Sequence, residues 1–371
     1  MKILMLNYEF PPLGGGASPV TYEISKNLVN LGHSVDVITM HYKGLPKFEV
    51  LEGIKIYRLP CVRMKKEVSN FFEMFTFVIS TIFNLKIFRM KDYDIIHTHF
   101  IIPTGFVAYL IKIIYGKNYI ISSHGSDVKG YNPDRFKLFH ILLKPFWSLI
   151  VKNASFIITP SQHLKNLILQ NTNGFYSNKI IPISHGINSY KSQSYKKQKI
   201  ILYSGRLFER KGVQYLIKAF DNLANDWELR IAGDGYYRND LENIARSVNG
   251  KITFLGWLSK NDLIKEYKKS SIFVLPSSEE SFGMVIIEAM LFGNAVVTTK
   301  NAACQEVVSS SGLFFNDKDS SDLRENLLNL VNNKNYLSSY QKKALERVKK
   351  FNWSEIILKY LDVYKNVLNQ Q

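Results

Sequence analysis

Cysteine is nearly absent from this chain: Cys61 and Cys304 are the only two among 371 residues. Two thiols cannot build the disulfide framework of a secreted scaffold, and without a CxxC pair or a Cys/His cluster they offer no structural zinc site. A reducing, cytoplasmic setting is expected. Long apolar runs are lacking as well. No window holds the ~18 uninterrupted apolar residues of a membrane-spanning helix. Glu73, Asn84, Lys86 and Arg89 interrupt Phe71–Met90, and Phe100–Ile111 contains Pro103 and Gly105 and stops at Lys112. The apolar start, Met1 to Glu9, is too short for a signal peptide and has no small-residue cleavage site, so it reads as a first strand. Acid is scarce in the first half. Residues 1–190 hold 21 basic and 11 acidic side chains, net +10, against 27 and 20, net +7, in 191–371. Such a surface draws nucleic acid, acidic lipid or a phosphorylated ligand. RRM, KH and zinc-finger motifs and a long basic tail are missing, so no nucleic acid partner is expected.

Hydrophobic residues make up 46% and charged residues 21%, which are globular values and exclude disorder. A chain of this length holds two domains by default. Short apolar runs alternate with helical stretches. Strands are expected at Lys2–Asn7, Val35–Met40, Ile54–Leu59, Ile95–His99, Tyr119–Ser123 and Phe156–Pro160, with helices at Pro19–Leu31 and Thr104–Ile114. The polar, basic stretch Ser189–Lys199 lacks aliphatic residues and reads as a linker. Alternation then restarts: strands at Ile200–Ser204, Trp227–Ala232, Ile252–Leu255, Ile272–Leu275 and Ala295–Thr299, and a helix at Val213–Leu223. The fold class is α/β, two Rossmann-like doubly wound domains facing a cleft, with ligands expected beyond the carboxyl ends of the strands.

One segment is left with two readings. Arg63–Val78, leading into Ile79–Met90, is rich in aromatics and flanked by Lys and Arg. It suits a helix lying in a bilayer interface, and equally a core-packed helix with snorkelling ends.

The loops after the strands carry the chemistry. Gly14-Gly15-Gly16 follows the first strand and enters a helix, where bare backbone and free N–H groups suit an anion. His124-Gly125-Ser126-Asp127 follows Tyr119–Ser123. Ser204-Gly205-Arg206 runs to Lys211-Gly212, and two cations five residues apart before a helix suit a pyrophosphate. Glu280 and Glu288, eight apart in Pro276–Met290, place one carboxylate before an expected helix over Phe282–Met290 and one two turns in. A carboxylate in so apolar a helix is costly to bury, which points to function.

The ordered series resembles retaining glycosyltransferases of family 4, with the GT-B fold. Its carriers are Gly14–Gly16, His124–Asp127, Ser204-Gly205-Arg206 to Lys211-Gly212, Ala232-Gly233-Asp234-Gly235, Phe254-Leu255-Gly256-Trp257 and Pro276 to Glu280 with Glu288. The resemblance runs from residue 1 to about Tyr364. It implies an N-terminal acceptor domain (1–188), the linker (189–199), a donor domain (200–352) and a final helix (353–371) crossing back to the first domain. It implies catalytic roles for His124, Glu280, Arg206 and Lys211, the two cations holding the pyrophosphate. The donor would also meet Gly15, Gly16, Gly205, Gly233, Trp257, Leu258, Ser281, Phe282 and Gly283, with Glu288 on the ribose and Glu280 on the donor sugar. The acceptor would meet Gly14, Gly15, His99 and Asp127. No metal and no cofactor are expected, only a UDP- or GDP-linked sugar as cosubstrate. Asp92-Tyr93-Asp94 looks like a metal-binding DxD but precedes a buried strand and reads as a strand-entry turn. Lys300–Glu306 has Ala302 and Ala303 where the family often has two glycines, and His185-Gly186-Ile187-Asn188 replaces the usual Asn-Gly-Val-Asp.

The expected activity is hexosyl transfer to a saccharide or lipid-linked saccharide in cell-surface polysaccharide synthesis, peripheral on the inner face of an anionic membrane. Two alternatives stay open: a soluble glycosyltransferase with a small-molecule acceptor, and a non-catalytic nucleotide-sugar or polyanion-binding protein. A glycogen-phosphorylase-like enzyme shares the fold, but no lysine is placed for pyridoxal phosphate.

Overall fold

The computed structural model describes residues 1–131, 141–188, 195–224 and 226–369. The chain divides into two compact units, Met1–Gly186 with Trp353–Gln371, and Ile187–Asn352.

The first unit is built on eight strands: β1 (Lys2–Leu6), β2 (Ser34–Met40), β3 (Phe48–Leu51), β4 (Ile54–Leu59), β5 (Ile95–His99), β6 (Tyr119–Ser122), β7 (Phe156–Thr159) and β8 (Ile180–Pro182). Their order in the sheet is β3-β4-β2-β1-β5-β6-β7-β8. All neighbours are parallel except β3, which pairs antiparallel with β4. The central strands carry fully buried apolar runs, Ile3-Leu4-Met5 and Ile95-Ile96 among them, because helices cover both faces of the sheet. Chain order reverses between β1 and β5, so the loops after these two strands part and leave a crevice at their carboxyl ends. The Gly14–Gly16 loop and His99 stand there. The final helix, Trp353–Leu368, belongs to this unit and buries Ile356, Tyr360 and Tyr364.

The second unit has six parallel strands: β9 (Gln198–Ser204), β10 (Glu228–Ala232), β11 (Lys251–Gly256), β12 (Ser270–Leu275), β13 (Ala295–Thr299) and β14 (Leu313–Phe315). The order β11-β10-β9-β12-β13-β14 reverses between β9 and β12. The basic loop after β9 and the acidic loop after β12 therefore flank the same crevice.

The structure departs from the sequence reading in several places. The short strands β3, β8 and β14 were not expected; β3 is an exposed edge strand whose Glu52-Gly53 turn supports it. The helix expected from Phe282 begins at Met284, because Gly283 adopts a left-handed conformation (φ 89°) and caps it. The first unit closes at Gly186 and not Asn188: Ile187 donates its N–H to Phe351 O at 2.7 Å and bridges to Asn352, within the second unit. Of the linker stretch, residues 189–194 lie outside the described residues, while Gln198 and Lys199 already belong to β9.

Phe71–Asn84 is a helix with a complete capping box. Asn70 accepts from the Glu73 N–H, and Glu73 accepts from the Asn70 N–H. It stops at Asn84, so the apolar stretch is divided, and among the described residues no helix is long and apolar enough to cross a membrane. Asp92 and Asp94 tie the entry to β5: Asp94 accepts the Lys2 N–H at 2.7 Å and Asp92 pairs with the Lys2 ammonium at 3.8 Å.

Candidate active site

In the second unit the loops after β9, β10 and β12 press directly on one another. A Cβ on Gly233 would stand 1.8 Å from the Gly205 carbonyl oxygen, and one on Gly212 (φ 70°) 1.9 Å from that of Pro276. Only glycine fits either position. This contact brings Lys211, at the end of the 3-10 turn Glu209–Lys211, onto Glu280 in the loop after β12. Their Nζ and Oε1 atoms are 2.5 Å apart, with about one-eighth of each side chain exposed (14% and 12%). A pair so placed is an ionic contact sheltered from water on one side and open to a ligand on the other.

Glu288 lies in the helix Met284–Leu291 and is half-buried. Tyr267 donates its phenol proton to Glu288 Oε2 at 3.0 Å, and the same phenol oxygen lies 2.7 Å from Ser204 Oγ at the end of β9. Burial raises the Glu288 carboxyl above the ordinary range, an effect the Tyr267 hydrogen bond opposes. Burial and the Glu288 charge raise Tyr267 well above the ordinary phenol, so it stays a donor. Tyr203 is pushed the same way by burial and by Glu280, which joins the two carboxylates into one polar cluster.

The other donor residues expected in this unit lie on the loops after its strands. Arg206 is half-buried just beyond β9, and its carbonyl accepts from the Tyr203 hydroxyl at 3.0 Å. Phe282 is 2% exposed and packs edge-on against Phe351, so only its backbone can face a ligand. Ser281 is half-buried beside it. Trp257, beyond β11, is 67% exposed and Leu258 half-buried; neither joins the polar cluster through a contact among the described residues. Where two glycines are usual, Ala302 and Ala303 begin the short helix Ala302–Val308, capped by Asn301 Oδ1 on the Cys304 N–H at 2.8 Å. Burial pushes the Cys304 thiol up to about 12, with the Glu280 charge acting in the same direction.

In the first unit the glycine loop is clasped from beneath. Gly15 donates to Glu9 Oε2 at 3.1 Å and Gly14 donates to the Lys66 carbonyl at 2.8 Å. Four imidazoles form a stacked row beside it. Ring centroids are 4.6 Å apart for His97–His99, 5.3 Å for His99–His124 and 5.7 Å for His124–His185. His97 is held at both nitrogens, by Tyr364 OH at 2.7 Å and Ser122 Oγ at 2.8 Å. His99 Nδ1 lies 3.1 Å from Thr21 Oγ1 and 3.0 Å from His124 Nε2. Burial lowers all four, His97 and His185 to about 3, and each neighbour's positive form would disfavour the next. The row is neutral at pH 7.

Two acceptor assignments change. Asp127 does not offer its carboxylate outward. Oδ1 accepts from Ser123 Oγ, His124 N and Gly125 N at 3.1, 3.2 and 3.0 Å, and Oδ2 accepts from Ile101 N at 2.8 Å. Asp127 thus shapes the turn that carries His124. His99 is fully buried and stands behind His124, which is half-buried and nearer solvent. Sequence reasoning missed Glu9, Tyr267, Tyr203 and His97. Of these, His97 and Tyr203 carried a local signal, their places in the expected strands Ile95–His99 and Ile200–Ser204.

Both halves match known families. Residues 14–190 match the model for Glycosyltransferase Family 4, and residues 187–347 the model for glycosyl transferases group 1. An uncharacterised glycosyltransferase of Methanocaldococcus jannaschii is 29% identical over 98% of each chain. Sucrose-phosphate synthase from Thermosynechococcus elongatus superposes with a TM-score of 0.83 over all of both chains at 21% identity. Anabaena HepE in complex with UDP-glucose gives 0.78 at 18% identity, over 99% of this chain and all of that one. With paired parallel sheets, glycine-clasped strand ends and both families matched in chain order, this protein belongs to the group 1, family 4 glycosyltransferases of GT-B fold, enzymes that use a nucleotide sugar.

Proposed function

We propose that the chain transfers a hexose, with retention of configuration, from a UDP- or GDP-linked donor to a saccharide or lipid-linked saccharide at a membrane surface, in the synthesis of a cell-surface glycan. The observation that carries this reading is the Lys211–Glu280 pair across the β9/β12 crevice, beside Glu288. Arg206 and Lys211 stabilise the diphosphate as negative charge develops on it. Glu288 accepts from ribose hydroxyls and Glu280 from hydroxyls of the donor sugar. His124, an uncharged imidazole, orients hydroxyls by hydrogen bonding without competing for the diphosphate. The sugar C1–O bond to phosphate breaks, the bond from C1 to the acceptor oxygen forms on the same face, and the acceptor's proton passes to the departing phosphate oxygen. No metal is needed where two side-chain cations serve the diphosphate. The UDP-glucose bound by the Anabaena neighbour favours uracil as the base.

The test is a thermal-shift panel of UDP, GDP, ADP and their hexose conjugates, followed by NMR of the product anomer. Ligand at ~100 times its Kd adds about 2.7 kcal/mol of stability. One nucleotide should raise the melting temperature, its conjugate should be consumed in the presence of EDTA, and the product should keep the donor's anomeric configuration. An inverted product, or no shift with any nucleotide, would sink the proposal.

A further inference from the structure

The helix Phe71–Asn84 is amphipathic the wrong way round. Its inward face carries Glu73, Phe77 and Thr81, all buried. Its outward face carries Phe72 (63% exposed), Phe75 (60%), Ile79 and Phe83 (80%), without a charge among them. Burying Glu73 is tolerated because both its oxygens are bonded, one to the Met64 N–H at 2.8 Å and the other to the Asn70 N–H at 2.9 Å. Leaving three phenylalanines in water has no such compensation. Exposed cations bracket the stripe: Lys65 and Lys66 before it, Lys86, Arg89 and Lys91 after it. The helix Lys144–Asn153 repeats the pattern, with exposed Phe146 and Leu149 between Lys144 and Lys152 and no acid.

These two helices border one cavity of about 600 Å³. Its walls are hydrocarbon, including Phe71, Met74, Val78, Phe106 and Trp147. Phe72, Phe75 and Phe146 belong both to its lining and to the exposed stripes, so it opens on the aromatic, basic face. Lys129 and Lys144 line it as exposed cations, and Ser126 and Asp127, in the turn that carries His124, line it close in sequence to Lys129. A volume of this size fits a ligand, and its predominantly apolar walls suit hydrocarbon better than a sugar.

We propose that this cavity is a binding pocket for a hydrocarbon chain of an anionic membrane lipid, entered from a bilayer on which the Phe72–Phe75–Phe83 stripe rests. The basic rim selects anionic head groups, the aromatic stripe sits at the interface, and the cavity takes a chain drawn out of the leaflet. The head group is thereby delivered beside the His124 turn. Identifying that lipid with the acceptor rests on the transfer reading above; the pocket itself does not.

The test uses the full chain with Trp257→Phe, which removes the exposed tryptophan of the second unit, and vesicles of phosphatidylglycerol brominated at mid-chain. Trp147 emission should be quenched, and Val78→Phe, which fills the cavity, should abolish the quenching while vesicle flotation persists. Phe72→Ser with Phe75→Ser should weaken flotation about tenfold or more. Flotation without Trp147 quenching would mean surface adsorption only and would overturn the pocket. So would failure to bind anionic vesicles at low salt, or equal quenching in Val78→Phe. A nucleotide thermal shift on the chain with Trp257 intact, with and without Val78→Phe, reports the second unit separately. Quenching without any nucleotide response would leave the pocket standing and bring down the transfer reading, and the converse result would do the reverse.

Discussion

The two units place their polar residues at the same position, beyond the carboxyl ends of parallel strands at a reversal of strand order, yet they treat charge in opposite ways. In the second unit Lys211 and Glu280 form a partly open ion pair. In the first, four imidazoles are packed so closely that burial and mutual repulsion hold them neutral. A diphosphate needs compensating charge, whereas neutral hydroxyls need directional hydrogen bonds that do not attract stray ions. One scaffold thus serves two chemistries through side-chain environment alone.

Removing the cation makes the second unit resemble the first. Lys211→Ala should lower kcat about 10²–10³-fold, the cost of one preorganised electrostatic contact to developing charge, and leave Glu280 without its counter-ion. Steady-state kinetics at saturating donor measure it, and a change in KM alone would mean that Lys211 acts only in binding. Glu288→Gln should come next. Loss of a charged acceptor is worth about 1.5–3 kcal/mol, so donor affinity should fall about 10–100-fold with little loss of fold stability, as titration calorimetry with the nucleotide would show. Gly233→Ala attacks the clasp. Its Cβ would meet the Gly205 carbonyl oxygen at 1.8 Å, and overpacking of that kind costs about 1–3 kcal/mol, visible in urea unfolding of the second unit while the first is spared.

The smallest effect belongs to the imidazole row. Its pKa values in the fold lie below the ~6.5 of the unfolded chain, so below that pH the unfolded state binds more protons. Stability is therefore full above about pH 6.5 and falls as pH drops toward the folded value of about 3 for His97 and His185. Each histidine adds up to about 1.4 kcal/mol per pH unit to that slope. His185→Gln should flatten the dependence of Tm between pH 7 and 5 by one histidine's share; an unchanged slope would mean that His185 is not held neutral.

Much of the fold was legible. Runs such as Ile95-Ile96 and Ala295–Thr299 announce buried parallel strands, and the final helix, expected from the resemblance over 353–371, runs from Trp353 to Leu368. Edge elements were not, because β3 is exposed and β8 and β14 are three residues each, too short for any period to emerge. Within the site, Lys211 and Glu280 were legible as motif members, but their contact depends on the strand order β9–β12, which no local pattern states. Tyr267 was invisible. It lies in Lys260–Lys269, a largely polar helix, 21 residues before its partner Glu288. Asp127 was legible as a residue of interest and misread in role, since only the loop geometry shows that four donors already occupy it.

The first unit is made from two separated stretches of chain, and this sets an order in time. His97 is synthesised early, but its partner Tyr364 follows 267 residues later. At about 5–20 residues per second, residues 187–371 take roughly 10–40 s to emerge after Gly186. During that interval the first sheet lacks its last helix, while the second unit, continuous in sequence from Ile187 to Asn352, is free to complete itself. The second unit is therefore free to finish first, and the seat left for Ile356, Tyr360 and Tyr364 stays an uncovered apolar surface until the final helix emerges.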